Sequence, residues 1–400
     1  MAERAARILQ DIGAIDACAW NRCANPAGAE YNPFLDHRFL HALEASGSVT
    51  ADTGWQPFHV VLSPGDGSVD EAIGVVPMYL KSHSRGEFVF DAGWADAFYR
   101  AGGRYYPKLQ VSIPFTPATG RRLLTATIDD AETEDQLLAA AVTVAKQIEV
   151  SSVHLTFLPE AQWRRAVSAG CLQRVDTQFH WLNDNYATFD DFLEQLSSKK
   201  RKNIRRERRE ALAGDITIEW LTGTITEAQW DAFYGFYLDT GSRKWGTPYL
   251  NREFFSRIGE TMGDRILLIM CKRAGRYIAG AINFIGDAAL FGRNWGCIED
   301  HRFLHFEACY YQAIDFAIAR GLDRVEAGAQ GAHKLARGYM PKPTYSAHWI
   351  RDPRLRDAVD RYLNDERRYV ARDIAYVEER HSPFRQDTDA ARDGDREDFG

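Results

Sequence analysis

Glu326 is the first residue of this sequence that suggests chemistry, because it interrupts an apolar run at 325–328. A carboxylate buried in such a strand costs free energy unless it is paired or used, and burial makes a carboxylate a stronger base. The pattern therefore indicates a general base. A structural ion pair with Arg324 or Arg337 is the alternative.

Three more polar residues follow that strand in a predicted loop. His333 is suited to act as a base, Lys334 to stabilise an oxyanion or hold a phosphate, and Tyr339 to protonate a leaving oxygen. Active and binding sites of α/β proteins are commonly found in loops at the C-terminal ends of strands. Simple solvation of His333 and aromatic packing of Tyr339 are the alternatives.

Two further pairs are candidates for contact with a substrate. His305 and Glu307 stand near the start of a predicted long helix, where they suit a substrate amine, although Glu307 also complements the helix dipole. Lys244 and Trp245 are expected to flank a substrate groove, with core packing of Trp245 as the alternative. His301 and His305 are four residues apart, but no H-E-x-x-H run accompanies them, so no metal is expected.

One block of the chain, residues 199–209, is strongly basic. Apolar residues recur at helical spacing before and through it, which predicts an amphipathic helix over 190–213 with its cations on the outer face. Such a face suits the docking of phosphates, of a nucleic acid or of a nucleotide cofactor. A solvated face is the alternative. The cations assigned to docking are Lys199, Lys200, Arg201, Lys202, Arg205 and Arg206.

The composition restricts the class of protein to which these residues can belong. The chain has 400 residues, 45% hydrophobic and 26% charged, which predicts a folded protein of two domains. It has no apolar run long enough to span a membrane and no secretory signal, so a cytoplasmic location is expected. The net charge of −7 argues against nucleic-acid binding by the whole surface. Residues 386–400 are acidic and are predicted to be a disordered tail.

The sequence contains an internal repeat. The matching blocks are 73–78 with 279–284, 88–94 with 290–296, 137–157 with 309–327, and 179–182 with 347–350. Their separation falls from 206 residues (Gly74 to Gly280) to 168 (His180 to His348), so the first copy carries an insertion, placed around 99–121. We therefore predict two homologous α/β domains with mixed sheets, at 1–185 and 186–385. In each domain we predict the elements in the order strand, strand, helix, strand, helix, strand.

This order of elements resembles the GNAT acyltransferase fold, and its duplication is similar to the Fem peptidyltransferases. The motifs that resemble the FemAB-like family are Asn-Pro-Phe-Leu at 32–35, Gly-Arg-Tyr-Tyr-Pro-Lys-Leu-Gln at 103–110, Leu-His-Phe-Glu at 304–307 and Gly-Ala-Gln-Gly at 328–331. The resemblance implies transfer of an acyl or aminoacyl group to an amine acceptor such as a peptidoglycan precursor. The donor would be acyl-CoA or aminoacyl-tRNA, and tRNA would use the basic helix.

The resemblance leaves several alternatives open. The glycine-rich pyrophosphate turn of GNAT enzymes is missing at 299–307, which weakens the case for acetyl-CoA. An acetyl-CoA-dependent N-acetyltransferase on a small amine, a non-catalytic binder of cell-wall peptides or precursors, and an RNA-binding protein stay as rivals. The second domain is expected to hold the chemistry. The first is expected to line the substrate cleft with Tyr105, Tyr106, Lys108 and Gln110.

Overall fold

The computed structural model describes residues 4–65, 67–244, 248–328, 331 and 333–385. These residues form two compact units, and neither unit is contiguous in sequence. Unit 1 comprises the described residues of 1–176, 249–263 and 343–370. Unit 2 comprises those of 177–248, 264–342 and 371–400. The boundaries of the sequence repeat at 185 and 385 stay predictions.

The secondary structure alternates between strands and helices along the whole chain. The strands are β1 Arg4–Leu9, β2 Trp55–Pro57, β3 His59–Pro64, β4 Gly74–Val76, β5 Met78–Lys81, β6 Lys108–Val111, β7 Leu124–Thr125, β8 Ser152–Leu158, β9 Leu172–Leu182, β10 Ile216–Leu221, β11 Ile266–Arg273, β12 Arg276–Ile285, β13 Ala289–Cys297, β14 Arg324–Glu326 and β15 Met340–Ile350. The helices are α1 Ala17–Ala24, α2 His37–Ala45, α3 Ala92–Arg100, α4 Ala131–Gln147, α5 Glu160–Arg165, α6 Phe189–Gln195, α7 Ser198–Ala211, α8 Glu227–Lys244, α9 Arg252–Met262, α10 Leu304–Phe306, α11 Gln312–Arg320 and α12 Pro353–Arg380. Short 3₁₀ turns cover Ile12–Ala14, Val69–Glu71, Ala166–Ala169, Gly263–Arg265 and Leu335–Arg337, and Glu307–Tyr311 forms a π-helical turn.

Unit 1 contains two groups of paired strands. The first is antiparallel throughout, in the order β1-β3-β4-β7. In the second, β2, β5 and β6 pair antiparallel, β6 pairs parallel with β8, and β8 pairs antiparallel with β15. The core forms where α4 covers these strands, because its apolar residues recur on one face; they are Leu137, Leu138, Ala141, Val142 and Ala145.

Unit 2 repeats this order of pairings. Strands β10, β11, β12 and β13 pair antiparallel in sequence, β13 pairs parallel with β14, and β14 pairs antiparallel with β9. A long helical segment, from Leu304 to Arg320, connects β13 to β14 and ends at Gly321, whose φ of 62° few other residues adopt at low cost. Its apolar face packs into the core of unit 2 through Ala313, Ile314 and Ala317.

In each unit, the last strand of the sheet comes from the other copy of the sequence repeat. Strand β9 follows β8 in the chain but pairs with β14 of unit 2, through His180–Leu182 against Arg324–Glu326. Strand β15 follows β14 but pairs with β8 of unit 1. Each unit is therefore completed by a strand from the other half of the sequence.

Two local predictions differ from the structure. Residues 88–90, predicted as a strand, form none, because Phe88 adopts a left-handed φ of 59°, and the corresponding strand is β6, inside the predicted insertion at 99–121. The helix predicted over 190–213 is two helices, α6 and α7, because Leu196 is extended and fully buried between them. Among the described residues, no helix has both the length and the apolar composition needed to cross a bilayer.

Candidate active site

The candidate site of unit 2 lies where two parallel strands stop pairing. The last matched residues of β13 and β14 are Phe291 and Glu326. β14 ends there, whereas β13 continues to Cys297. The pairing of β13 with β12 also shifts by one residue near Arg293, and such bulges re-aim the backbone beside active sites.

A cavity of about 100 Å³ occupies this position. Its walls come from β12, β13, the end of β14 and the helical segment that begins at Leu304. The lining residues are Ala281, Ile282, Asn283, Gly292, Arg293, Asn294, Trp295, His305, Cys309, Tyr310 and Ala327. A second cavity, of about 290 Å³, shares Trp295 and His305 with the first. Its other lining residues are Thr240, Cys297, Glu299, Asp300, His301 and Leu304.

A π-helical turn, Glu307–Tyr311, positions the helical wall. π-turns are rare and are often found at functional sites, because the extra residue changes which side chains face inward. Here the turn lies between α10 and α11, and it contributes Cys309 and Tyr310 to the smaller cavity. His305 precedes it, and its ring lies 5.4 Å from that of Trp295 and 5.5 Å from that of Tyr310. His305 is therefore part of the wall of both cavities.

His333 lies beside this wall. The Tyr310 hydroxyl is 2.9 Å from His333 Nε2, and the His333 ring stacks on Phe306 with centres 5.5 Å apart. Burial, together with the cations Arg337 and Lys334, lowers the pKa of His333. The imidazole is therefore held mostly neutral, as a base requires.

Lys334 is held by backbone oxygens. Its ammonium donates to the carbonyls of Ala327 and Gly328, and the residue is 5% exposed. Burial lowers its pKa to about 8. Since Ala327 lines the smaller cavity, Lys334 fixes part of the cavity wall from behind and brings a positive charge close to it.

Glu326 is buried in the sheet. Its Oε1 accepts a hydrogen bond from Arg324 Nε at 3.0 Å, which is one of the ion pairs considered from the sequence. Its Oε2 has no hydrogen-bond partner among the described residues, and His180 Nε2 is 3.8 Å away. Arg337, the other partner considered, instead bonds Glu207.

Tyr339 and Glu307 are both fully buried. The Tyr339 hydroxyl donates to the carbonyl of Tyr310 at 3.2 Å, and burial keeps the pKa of Tyr339 well above its ordinary value. Glu307 accepts two hydrogen bonds from Arg208, at 2.9 and 3.2 Å, and one from Gln312. Burial raises the pKa of Glu307, although Arg208 opposes the shift. Neither residue is among those that line the two cavities described above.

The docking cations lie on α7, and most are exposed. Arg205 pairs with Asp190 at 2.8 Å, and Arg206 lies 3.7 Å from Glu210. In the part of the chain that the structure describes, no acid pairs with the four cations of the first turns, which are Lys199, Lys200, Arg201 and Lys202. Since cations at a helix N-terminus oppose the helix dipole, this arrangement is unfavourable without an anionic partner.

The residues predicted to line a cleft from the first half lie in unit 1 and are mostly buried. Tyr105, Lys108 and Gln110 are 0% exposed, and Tyr106 is half-buried. The Lys108 ammonium donates to Ser84 Oγ at 2.8 Å, to Glu87 Oε2 at 2.7 Å, and to Asp91.

Other titratable side chains surround that lysine. The Tyr105 hydroxyl donates to Asp91 at 2.6 Å, and His154 Nδ1 lies 2.6 Å from His348 Nδ1. We refer to this group as the ionic cluster of unit 1. Its members are Lys81, Glu87, Asp91, Lys108, His154 and His348.

Several predictions cannot be placed. The side chain of Lys244, the residue Trp245 and the acidic stretch 386–400 lie outside the described residues. His301 bonds Glu299 at 2.9 Å. Within the described ranges, no group of three or more His, Cys, Asp or Glu side chains is arranged to hold a metal ion.

Sequence reasoning missed several cavity residues, namely Asn283, Arg293, Asn294, Cys309 and Tyr310. One signal was available, because the polar pair Arg293-Asn294 interrupts an otherwise apolar strand between Gly292 and Trp295. The π-helical turn has no comparable signature in the sequence.

The paired order of strands, with a parallel pair beside a cavity in unit 2, defines a tandem GNAT-type fold. The crystal structure of FemX has this fold: it superposes with a TM-score of 0.50 at 12% identity, covering 81% of this chain and 93% of FemX. L-PGS from Bacillus licheniformis gives 0.49 at 10% identity, over 84% and 98% of the two chains. A tandem GNAT protein of the clavulanic acid biosynthesis pathway gives 0.45 at 11%, over 88% and 99%.

The chain belongs to the FemAB-like family of peptidoglycan biosynthesis/recognition proteins, whose family model matches residues 11–386. The predicted family and the predicted fold class are thereby confirmed. A search of curated proteins gave no match to the sequence.

Proposed function

We propose that this protein is a transferase that moves an acyl or aminoacyl group onto the amine of a peptidoglycan precursor. The cavity at the divergence of β13 and β14 carries the proposal, because it is bounded by a bulged strand and a helix, and Lys334 bonds the carbonyl of its lining residue Ala327. Family membership supports the same class of reaction and acceptor.

The chemistry requires an amine that has lost its proton and a stabilised oxyanion. We assign the base to His305, because it lines both cavities and so can face acceptor and donor at once. The amine nitrogen attacks the acyl carbonyl, an N–C bond forms, the bond to the leaving group breaks, and the proton passes through His305 to the leaving atom. The Lys334 charge behind Ala327 favours the oxyanion.

The other predicted catalytic residues have supporting roles in this scheme. Glu326 holds Arg324 and lies near His180, so we assign it to the stability of the divergence point rather than to proton transfer. Tyr339 fixes the π-helical turn through the Tyr310 carbonyl. His333 is the second candidate base, because it stacks on Phe306 beside the wall.

We propose aminoacyl-tRNA as the donor. The argument is electrostatic, since Lys199, Lys200, Arg201 and Lys202 crowd the positive end of the α7 dipole and no described acid pairs with them. An RNA backbone would supply the missing negative charge. Acyl-CoA is the alternative donor, because its phosphates have the same chemistry.

The test is a transfer assay with labelled aminoacyl-tRNA and, separately, labelled acetyl-CoA, each with a muropeptide precursor as acceptor. We expect label to pass from the tRNA to the precursor, and His305→Ala to lower kcat about 100-fold or more. The matched control is His381→Ala, at an exposed position after α12. It should leave kcat unchanged.

The two donors are separated by the salt dependence of binding. Replacing the four first-turn cations by Gln should weaken tRNA binding and lower the slope of log K against log salt by about 1 for each phosphate that the helix no longer neutralises. Transfer from acetyl-CoA alone would replace the tRNA proposal. Transfer from neither donor to any amine would refute the enzymatic function.

A further inference from the structure

The basic helix α7 has an inner face that contacts the segments flanking the candidate site. Its Glu207 lies one turn after the buried Ile204 and is itself mostly buried, with a side chain 13% exposed. Oε2 of Glu207 accepts a hydrogen bond from Arg337 Nη2 at 2.7 Å and another from the Tyr311 hydroxyl. One carboxylate oxygen therefore joins α7 to the π-helical turn and to the segment that follows β14.

Arg337 continues this connection to the site. Its Nη1 donates to the carbonyl of His333 at 2.6 Å, and its guanidinium lies 3.4 Å from the centre of the Phe306 ring. Phe306 is in turn the ring on which the His333 imidazole stacks. The guanidinium thus fixes both the backbone of His333 and the surface that supports its side chain. The fork geometry of arginine is needed to reach these partners at once.

The turn that carries Lys334 depends on the same arginine. The backbone N–H groups of Arg337 and Tyr339 both donate to the Lys334 carbonyl, at 2.9 and 3.3 Å. Because the Arg337 side chain also bonds the His333 carbonyl in this turn, its displacement would disturb the turn that holds His333 and Lys334. Small displacements of groups beside a reacting centre reduce turnover strongly.

We propose that Glu207 is a positioning residue of the candidate site: through Arg337 it fixes His333, Lys334 and Phe306 relative to the cavity. The role rests on the proposed function, since it concerns the geometry of the proposed transfer site. It assigns a second task to α7. The outer cations bind the donor, and the inner carboxylate sets the geometry of the site.

The test compares Glu207→Ala with Glu207→Gln. The alanine variant removes the acceptor of Arg337 and should lower kcat about 10- to 100-fold while the KM for the donor changes less than about twofold, because the docking cations stay in place. The glutamine variant keeps an acceptor oxygen and should restore most of the turnover. Glu194→Ala, at an exposed acid of α6, is the control and should change neither value.

A measurement without turnover accompanies these assays. Hydrogen exchange of the Arg337 and Tyr339 amides should be faster in Glu207→Ala than in the wild type, and unchanged in Glu194→Ala. Arg337→Lys keeps the charge but loses the fork, so it should reproduce both effects if Glu207→Ala does not fold.

The outcomes separate this inference from the proposed function. Unchanged exchange and unchanged kcat in Glu207→Ala would overturn it. A raised donor KM with unchanged kcat would also overturn it, because Glu207 would then belong to the docking surface. If the wild type transfers no group at all, the proposed function fails, and the exchange measurement alone decides whether Glu207 orders the turn.

Discussion

Both units bury a lysine beside a parallel pair of strands, and the two lysines are held in different ways. In unit 1, Lys108 contacts the carboxylates of Glu87 and Asp91; burial alone would lower its pKa, but these acids raise it. In unit 2, Lys334 donates to backbone carbonyls, and burial lowers its pKa to about 8. Paired acids keep a buried lysine protonated. Backbone carbonyls do not, so the protonation of Lys334 can change when a substrate binds.

The rest of the ionic cluster in unit 1 is close to neutral. Burial lowers the pKa of Lys81 to about 6 and raises that of Glu87 to about 7. Burial also lowers the pKa of His154 to about 3. The cluster therefore keeps Lys108 and Asp91 as its main charge pair. In unit 2, by contrast, His305 and Tyr310 line a cavity.

The largest expected effect comes from removing each lysine in turn. Lys108→Met leaves the buried carboxylate of Asp91 without its counter-ion and should lower the free energy of unfolding by about 3–5 kcal/mol. Lys334→Met removes hydrogen bonds to carbonyls and should cost about 1–2 kcal/mol, but it should also reduce turnover. Urea unfolding and the transfer assay measure the two effects.

The exposed Lys146→Met is the control and should change stability by less than about 0.5 kcal/mol. Equal losses of stability for Lys108→Met and Lys334→Met would mean that the two lysines have the same structural role.

Acid should destabilise unit 1 through its histidines. His154 and His348 are neutral when folded, because burial lowers both pKa values below the ordinary value of 6.5. Between pH 6.5 and 3 the unfolded chain therefore binds more protons, and stability falls as the pH falls. Glu87 opposes this change between pH 4.5 and 7, so the fall should steepen below pH 4.5.

The variant His154→Gln isolates this effect. Its free energy of unfolding should depend less steeply on pH than that of the wild type, by about 1.4 kcal/mol per pH unit. Urea titrations at pH 3.5, 4.5 and 6 provide the slopes. Parallel slopes for the two proteins would show that His154 is already protonated in the folded state.

The smallest expected effect comes from Glu87→Gln. Because the folded pKa of Glu87 is raised to about 7, its stabilising contribution is present below pH 4.5 and is lost as the pH rises through 7. Glutamine does not titrate. As the pH rises from 5 to 8, the free energy of unfolding of the variant should therefore increase by at least about 1 kcal/mol relative to that of the wild type. Thermal unfolding at both pH values measures the difference. A relative loss over this range would mean that the carboxylate stays ionised beside Lys108.

The sequence predicted the class of fold because the repeat preserves the order of the elements. It could not predict the exchange of β9 and β15, since both strands carry a His-Trp pair and suit either sheet. The ionic cluster was also missed, because Glu87 and Asp91 flank 88–90, which has the apolar residues of a strand. Which sheet accepts a strand, and which charges meet, depend on contacts between distant residues.

In the candidate site, too, a contact between near neighbours in sequence was predictable and the longer-range arrangement was not. The pair Glu326 and Arg324 was predictable, because residues two apart on a strand share a face. The walls of the cavities were not, since they depend on the bulge near Arg293 and on the π-helical turn. Both features insert one residue into a regular element, and neither changes the apolar pattern around it.

The π-helical turn also has an evolutionary consequence. In a π-helical turn each hydrogen bond joins residues five apart instead of four. Such a turn forms when one residue is inserted into an α-helix and the packing on both sides of the insertion is retained. Deleting one residue from Glu307–Tyr311 would rotate the preceding segment by about 100° around the helix axis relative to α11. The core contacts of Ile314 and Ala317 would survive, while His305 would turn away from both cavities. Relatives that lack the inserted residue should therefore fold alike and differ in activity.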